Sequence, residues 1–550
     1  MSDEFVAGRR ASWFREHGFA GCLGCILTVA AWLRLHRVFE RGLIYWDEGI
    51  FIMGARFVRW RTHILWLECH RMIGDTVATP MPDFYRGLPV FLQKPMHVLL
   101  LAIWNSPGWD EAAAAVAFSI FAGLIAIGCT AELGRKWFSP ATGLIAAAWL
   151  AIQPYHIHYS RLALHETVSM AVFLLTCCAW QRLDTQRRLG AAWLTGALAM
   201  AAVGCSYRYL PFILLGIGWE IHSGLTRMIR WRDRFKRWLL ELLAATSVFL
   251  LLNAAYPVAF FPDYLWSQPG SYWDVLKKKF LGGESSFDLD FPWFFLDMMY
   301  RFDGAVLTGI TLIAIIRLFI IRSRLSLSLA CWILVPFMLF SLTTTRVPRA
   351  ITGVLPFVAL ATGDMFAAGV VLCRSSSRYR RQFLMASGVV AAVIGLSLAP
   401  HIHGIWSLKS GYPEVVHWLE QQGERIHLST MPPVYAVYQG RQAVRPVPFT
   451  LEAIHQEVER TRVRYLTVDW QKFLRYSPGV RDIEQAVLPV VVANHNPGVF
   501  FATLYENHLP ADVDLLREDP TLQFIKVYDL YDVLESLGYR LSFRETSDGS

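Results

Sequence analysis

Tyr45-Trp46-Asp47-Glu48-Gly49 is the stretch around which the rest of this chain is organised. It follows the first long apolar segment, residues 19–39, and places two adjacent carboxylates where a membrane helix leaves the bilayer. A protein that crosses a membrane many times has little general need for an acidic pair there. We therefore treat Asp47 and Glu48 as candidate catalytic carboxylates and ask which other polar residues share their side of the membrane.

The composition indicates an integral membrane protein. Of the 550 residues, 54% are hydrophobic and 17% are charged, against about 25% charged in soluble domains, and the mean hydropathy is +0.34. The formal net charge is +8. Because the excess Arg and Lys lie in short loops between apolar runs, this charge predicts membrane orientation rather than nucleic-acid binding.

The basic loops predict about eleven crossing helices, with the N-terminus in the cytoplasm and residues 19–39 as an uncleaved anchor. Two further helices, 50–67 and 96–104, are expected to lie in the interface in the first outer loop, because arginines interrupt one and the other is too short to cross. If 96–104 crossed, the later basic loops would face outward. The crossing helices are 19–39, 112–133, 140–155, 164–180, 190–206, 210–222, 238–260, 305–321, 325–342, 350–372 and 383–400.

The composition changes at about residue 401. Strand-like runs at 464–468, 487–493 and 499–505 alternate there with helix-like runs at 414–422 and 451–462. We predict a membrane domain over 1–400 and a soluble, extracytoplasmic α/β domain over 401–550, which is a normal domain size.

This threading gathers a mixed set of charged residues on the outer face. Each member also has a plainer explanation, because loop carboxylates are solvated, lysines snorkel, carboxylates favour helix starts and arginines bind lipid headgroups. The set consists of Asp47, Glu48, Lys94, His156, His158, Arg161, His165, Glu166, Arg208, Arg346 and Arg349.

One chemistry needs carboxylates and cations together at a membrane surface. A sugar on a polyprenyl phosphate is an activated donor whose leaving group is an anion at the headgroup level. Its transfer requires a base that removes the proton of the attacking acceptor and cations that hold the departing phosphate. Because phosphate is a weak base, it leaves without a strong general acid.

Four motifs resemble those of the GT-C class of membrane glycosyltransferases. Trp46-Asp47-Glu48-Gly49 is similar to the acidic motif of the first outer loop, and Gln93-Lys94-Pro95 to the N-K-P-P segment of the bacterial branch. Residues 159–166, Tyr-Ser-Arg-Leu-Ala-Leu-His-Glu, resemble the second-loop S-R-x-x-L-x-D/E motif. Residues 346–349, followed by Leu355-Pro356-Phe357, resemble the late R-Y-x-x-x-x-x-P element.

The resemblance covers residues 15–400 and extends to the group of the lipid A aminoarabinose transferase and the protein O-mannosyltransferases. It implies that Asp47 is the catalytic base and that Glu48 supports it or holds the acceptor. Glu166 would be the second acidic residue of the site. The residues expected to bind substrate are Lys94 and Arg349 on the donor phosphate, together with Tyr45, Arg161 and Arg346.

A metal is not predicted. The oligosaccharyltransferase branch of the class uses a D-x-D second motif with a metal, and residues 164–166, Leu-His-Glu, do not form it. The alternative is a metal on His156, His158 and His165, which otherwise lie at the interface. No cofactor beyond the lipid-phosphate sugar donor is expected.

These observations predict a polytopic α-helical protein of the GT-C fold in the plasma (inner) membrane. It would be an inverting glycosyltransferase that moves a sugar from a polyprenyl-phosphate donor to an extracytoplasmic lipid, glycan or protein. One alternative is a transporter or flippase of a lipid-linked or small anionic substrate, although the sequence lacks repeated halves with paired broken helices. Another is an inactive binding protein that keeps the fold.

Overall fold

The computed structural model describes twelve stretches of the chain, and they fall into two compact units. The first unit comprises Met1–His36, Val58–Trp104 and Val116–His403, and the second comprises Arg37–Phe57, Asn105–Ala115 and Gly404–Ser550. The described residues are 3–71, 94–105, 108–186, 189–226, 231–260, 293–342, 348–374, 377–424, 426–440, 443–469, 478–493 and 525–545.

Helices dominate the chain up to residue 406. Two 3₁₀ helices, Tyr207–Tyr209 and Pro348–Val354, and a π-helical turn, Leu251–Ala255, lie between the α-helices. The α-helices are α1 (Asp3–Leu35), α2 (Trp46–Arg71), α3 (Pro95–Trp104), α4 (Glu111–Trp137), α5 (Pro140–Ile152), α6 (Pro154–Ser160), α7 (His165–Gln186), α8 (Leu189–Cys205), α9 (Leu210–Thr226), α10 (Trp231–Leu250), α11 (Tyr256–Phe260), α12 (Phe294–Ile321), α13 (Arg324–Ser341), α14 (Leu355–Arg374) and α15 (Ser377–Trp406).

Within the described residues, seven helices are long and apolar enough to cross a membrane. The number is eight if α6 and α7, which meet at a bend of 108°, form one broken span. Each of the eleven predicted segments is mostly helical, but how many of them cross stays a prediction. The two helices predicted in the first outer loop are also present as α2 and α3, and Pro95 opens α3 as expected.

Three element boundaries differ from the prediction. The acidic pair lies in the first turn of α2 rather than in a loop. The segment 140–155 is not one helix, because α5 ends at Ile152 and Pro154 opens α6. The eighth segment begins at Phe294 instead of residue 305, and it is kinked at Gly304, whose φ of 76° is accessible to glycine at little cost.

Two buried arginines fix the chain on either side of the α5–α6 break. The Arg34 guanidinium donates to the Ala151 carbonyl at the end of α5, at 3.0 Å. The Arg161 guanidinium donates to the His36 carbonyl just after α1, at 2.9 Å. Each arginine therefore satisfies a carbonyl that a helix end leaves without an intrahelical partner.

The described part of the C-terminal region contains a five-stranded mixed sheet with the order β2-β1-β3-β5-β4. β1 pairs parallel with β2 and β3, whereas β5 pairs antiparallel with β3 and β4. The elements are α16 (Tyr412–Gln421), β1 (His427–Ser429), α17 (Pro432–Gln439), β2 (Val444–Pro446), α18 (Leu451–Thr461), β3 (Tyr465–Val468), α19 (Pro478–Ala486), β4 (Val491–Ala493), β5 (Ile525–Asp529), α20 (Leu530–Ser536) and α21 (Ser542–Glu545).

The strand predicted at 464–468 is therefore present as β3, and the run 487–493 contains β4. The run 499–505 lies outside the described residues. The boundary predicted at residues 400 and 401 stays a prediction. What the structure adds is that the second compact unit also includes two earlier segments, Arg37–Phe57 and Asn105–Ala115, which fall largely within the predicted first outer loop.

Candidate functional site

The first unit contains a cluster of charged side chains at the start of α7. Glu166 is the second residue of this helix and is only 3% exposed. Its Oε1 lies 3.4 Å from Arg349 Nε and 3.7 Å from Arg208 Nη1. Two arginines from distant parts of the sequence therefore meet one buried carboxylate. We call Lys94, His165, Glu166, Arg208 and Arg349 the cation cluster.

Lys94 joins the cluster through His165. Lys94 Nζ lies 3.1 Å from His165 Nδ1, and His165 Nε2 lies 3.2 Å from Glu166 Oε1. Because an ammonium group only donates hydrogen bonds, Nδ1 accepts and the imidazole proton sits on Nε2, facing the carboxylate. The cluster thus has three cations and one carboxylate around a neutral imidazole, which leaves an excess of positive charge.

Lys94 is held in place by the helix that follows it. The Lys94 carbonyl accepts from Val98 N at 3.2 Å, so Lys94 is the N-cap residue directly before α3. A Cβ on Gly204 of α8 would lie 3.1 Å from Met96 Cβ, and the absence of that atom lets α3 pack close. On the same helix, burial and the nearby Lys94 charge lower the pKa of His97 to about 3, which keeps its imidazole neutral.

Arg349 is positioned by the buried segment between α5 and α7. The Tyr155 hydroxyl donates to the Pro348 carbonyl, one residue before Arg349. Tyr155 is itself fixed, because its backbone N–H donates to Asp303 Oδ1 at 2.9 Å. Gly353 lets the 3₁₀ helix lie close to the next aromatic layer, since a Cβ there would lie 3.0 Å from Tyr209 Cε1.

Aromatic rings lead from the cation cluster to an apolar groove of about 510 Å³. Tyr209, next to Arg208, stacks on Phe212 at 5.4 Å, and Phe357 lies 4.8 Å from Trp332, which lines the groove. Another lining residue, Pro211, follows Arg208 by three positions. The remaining wall comes from α9 and α13 and is mostly apolar: Leu214, Leu215, Gly218, Trp219, Leu327, Ser328, Cys331 and Val335.

Asp47 and Glu48 belong to the second unit. Asp47 is partly buried in the first turn of α2, whereas Glu48 is fully buried. Glu48 Oε2 accepts from Ile44 N at 2.8 Å, and its Oε1 lies 3.5 Å from Arg41 Nη2. Both oxygens therefore have partners inside the segment, and the role of Glu48, as a support of Asp47 or a contact of the acceptor, stays a prediction.

The other predicted site residues have mixed positions. Tyr45 is buried directly before α2, at 2% exposure. Arg161 is fully buried, and its guanidinium contacts the Leu33 and His36 carbonyls. Arg346 lies outside the described residues. The substrate-binding role of all of them stays a prediction.

Sequence reasoning did not assign roles to three residues that the structure brings into these groups. Arg208 and His165 were recognised only as polar residues of the outer face, and Arg41 was missed. Arg208 stands between two aromatic residues in the short connection before α9, and Arg41 precedes Glu48 by seven residues. The flanking tyrosines place Arg208 in an aromatic segment, but they do not indicate its contact with Glu166.

Comparison with known proteins identifies the fold. Residues 93–256 match the protein-family model of dolichyl-phosphate-mannose-protein mannosyltransferases. No curated protein matches the chain significantly by sequence alone. Among solved structures, the archaeal oligosaccharyltransferase AglB from Archaeoglobus fulgidus, in complex with an inhibitory peptide and a dolichol-phosphate, aligns with a TM-score of 0.55. This alignment has 12% identity and covers 86% of the present chain and 72% of AglB.

A second similar structure is apo ArnT from Cupriavidus metallidurans. It aligns with a TM-score of 0.53 and 15% identity, over 88% of the present chain and 97% of ArnT. AglB and ArnT are both GT-C glycosyltransferases. The chain is therefore a membrane protein with the GT-C fold, as its motifs predicted, and residues 93–256 carry the match to the mannosyltransferase family.

Proposed function

We propose that this protein is a GT-C glycosyltransferase that moves a sugar from a polyprenyl-phosphate donor to an extracytoplasmic lipid, glycan or protein, with inversion at the anomeric carbon. The acceptor hydroxyl or amine attacks the anomeric carbon, its proton passes to the Asp47 carboxylate, and the bond to the phosphate oxygen breaks. The phosphate leaves with the bonding electron pair. Lys94, Arg208 and Arg349 hold that phosphate.

The cation cluster is the observation that carries the proposal. A departing phosphate monoester carries about two negative charges at neutral pH, more than the diester from which it forms. Cations fixed in advance around that phosphate therefore stabilise the transition state more than the ground state. In this scheme Glu166 orients Arg208 and Arg349, and the neutral His165 links Lys94 to the same carboxylate.

The apolar groove supports a lipid-linked donor. Its walls are aliphatic and aromatic, and Pro211 places one part of it three residues from Arg208. A ligand with an isoprenoid chain and a phosphate head has this combination of an apolar body and an anionic end. A water-soluble nucleotide-sugar donor has no group that would fill such a groove.

A reconstituted assay with labelled polyprenyl-phosphate sugars tests the base. Asp47→Asn keeps the size of the side chain but removes the proton acceptor, so turnover should fall by about 10²- to 10⁴-fold, the range of general-base contributions. Asp297→Asn is the matched control, because Asp297 pairs with Arg301 on the surface of α12 at 2.7 Å. Near-normal turnover in Asp47→Asn would exclude Asp47 as the base.

The same assay tests the phosphate site. Lys94→Ala should raise the donor KM and lower kcat, so that kcat/KM for the donor falls by about ten- to a hundredfold, the value of one charge-assisted hydrogen bond, and it should change the acceptor KM little. The control is Lys526→Ala. This substitution removes a lysine of β5 that pairs with Glu484 of α19 at 2.9 Å. A larger effect on the acceptor KM would contradict the role of Lys94.

A further inference from the structure

We infer that the C-terminal α/β region is a positioning device for the acidic segment, and that Tyr438 and Gly49 are the residues through which it fixes the start of α2. The inference rests on the proposed role of Asp47 as the base. It concerns contacts inside the second unit, which contains both Arg37–Phe57 and Gly404–Ser550.

The chain before Asp47 is held by the C-terminal region at consecutive residues. The Arg41 carbonyl accepts from Ser410 N at 2.8 Å. Gly42 has a φ of +74°, and a Cβ on it would lie 2.3 Å from Ser410 Oγ. Leu43 N donates to the Tyr438 hydroxyl oxygen at 2.8 Å. The backbone is therefore constrained by the C-terminal region at each of residues 41, 42 and 43.

The chain after Asp47 is held equally closely. A Cβ on Gly49 would lie 2.6 Å from the Pro433 carbonyl carbon and 2.7 Å from Val434 N. These are backbone atoms, which cannot move aside as a flexible side chain can. Further along α2, the Arg56 guanidinium donates to the Ala436 and Val437 carbonyls at 3.1 and 3.2 Å. Helix α17 thus contacts Leu43 before α2 and, within α2, Gly49 of the first turn and Arg56.

Helix α17 is anchored in turn by a buried polar network at the ends of β1 and β3. Tyr435 of α17 packs edge-on against Tyr412 at 5.2 Å. The Tyr412 hydroxyl donates to Asp469 Oδ2 at 2.6 Å, and Asp469 N donates to Thr430 Oγ1 at 2.7 Å. Tyr412, Asp469 and Thr430 are thus joined by buried hydrogen bonds, and the ring of Tyr412 packs against α17. The sheet therefore gives α17 a fixed place from which to hold the acidic segment.

The chemistry of Tyr438 suits this role. Burial raises the pKa of Tyr438, so its phenol stays protonated and neutral. A neutral phenol oxygen accepts a hydrogen bond from Leu43 N without adding a charge beside the acidic pair. A carboxylate in this place would repel Glu48, and a phenylalanine would leave the Leu43 N–H without its acceptor.

The test uses the full chain in vesicles and compares Tyr438→Phe and Gly49→Ala with Asp47→Asn. Tyr438→Phe should lower kcat by about tenfold, the value of one hydrogen bond that holds the segment. Gly49→Ala should lower kcat by about a hundredfold, because a misplaced catalytic group loses that much. The donor KM should stay within about twofold in both variants, since the donor phosphate is held elsewhere.

Hydrogen exchange gives a readout that does not depend on activity. In Tyr438→Phe the Leu43 amide should exchange about tenfold faster, because its opening loses a hydrogen bond. Strand β5 should exchange at its original rate. Tyr531→Phe is the matched control: the Tyr531 hydroxyl donates to the Arg462 carbonyl at 2.7 Å within the same region. It should change neither kcat nor exchange at residues 43–49.

The outcomes separate this inference from the proposed function. Loss of activity in Asp47→Asn, combined with wild-type kcat and unchanged exchange in Tyr438→Phe and Gly49→Ala, would overturn the positioning role alone. Normal turnover in Asp47→Asn would remove the base and, with it, both proposals. A parallel fall of kcat and of thermal stability in both variants, with faster exchange throughout the sheet, would mean that the contacts only hold the fold and would also overturn the inference.

Discussion

Arg161 and Arg349 both lie within motifs of the predicted outer face, yet the structure surrounds them differently. The Arg349 Nε faces the Glu166 carboxylate at 3.4 Å. The Arg161 guanidinium instead contacts backbone carbonyls around the end of α1. A carboxylate fixes the orientation of an arginine and leaves its other N–H groups able to bind a ligand. An arginine whose N–H groups bind the carbonyls at a helix end instead stabilises that helix end.

Replacement of Arg161 tests this distinction. Arg161→Ala should leave the donor KM within about twofold and lower the free energy of unfolding by about 1–3 kcal/mol, because buried carbonyls lose their donor. Thermal unfolding in detergent, followed by tryptophan fluorescence, measures the loss as a lower Tm. A variant with an unchanged Tm and a raised donor KM would instead support the substrate-binding role that the sequence predicts for Arg161.

The sequence predicted only some of the residues of the cation cluster. Lys94, Glu166 and Arg349 could be selected because each stands in a motif of known order. His165 occupies an unspecified position of its motif and Arg208 lies in no motif. Their roles arise from contacts with residues far away in sequence, Lys94 and Glu166. No local pattern records such a contact.

At the scale of elements, the 3₁₀ helix Pro348–Val354 is the part that presents Arg349 to Glu166. Gly353→Ala would bring a methyl group within 3.0 Å of Tyr209 and Phe212. We expect the 3₁₀ helix to shift by a few tenths of an ångström. The donor KM should then rise several-fold, which corresponds to a loss of about 1 kcal/mol of binding free energy. The donor KM in the vesicle assay measures this effect.

A glycine in an open part of a helix provides the control for that prediction. Gly309 lies in α12, and a Cβ there would meet no other atom within 4 Å. Gly309→Ala should therefore leave the donor KM unchanged. Equal effects of the two substitutions would show that the close packing at Gly353 does not position Arg349.

Helix placement was the most predictable part of the elements, because long apolar runs record it directly. The 108° bend between α6 and α7 was not predictable. That bend lies between Ser160 and His165, where the sequence carries no proline or glycine. Pro154 marks only the earlier break between α5 and α6, and the start of α6 also depends on Asp303, which accepts from Tyr155 N across 148 residues. The same limit applies to α12, where the kink at Gly304 lies within an apolar pattern.

For the molecule as a whole, the distribution of Arg and Lys predicts an odd number of crossings, about eleven. The N-terminus and Ser550 should then lie on opposite sides of the membrane. Alkaline phosphatase fused after Ser550 should be active and green fluorescent protein dark at that position, since each reporter matures on one side only. The opposite result would remove the predicted extracytoplasmic location of the C-terminal region.

A fusion after Arg374, at the end of α14, is the control for that experiment. The predicted threading places this basic turn in the cytoplasm, so the two reporters should give the reverse pattern there. Matching signals at both sites would mean that α15 does not cross. Helix length and apolarity do not fix the number of crossings, because seven or eight of the described helices meet both criteria whereas the basic loops predict about eleven crossings.

Arg56 also has a consequence for how the protein is made. Its guanidinium binds the Ala436 carbonyl, 380 residues downstream, and its Nε binds Glu111, 55 residues downstream. At about 5–20 residues per second, a ribosome needs on the order of 20 to 80 seconds to supply the later partner. During that interval the nascent α2 lacks its contact with α17. The acidic segment therefore acquires the contacts described here only after residue 437 has been synthesised, and a chain that stops earlier lacks them.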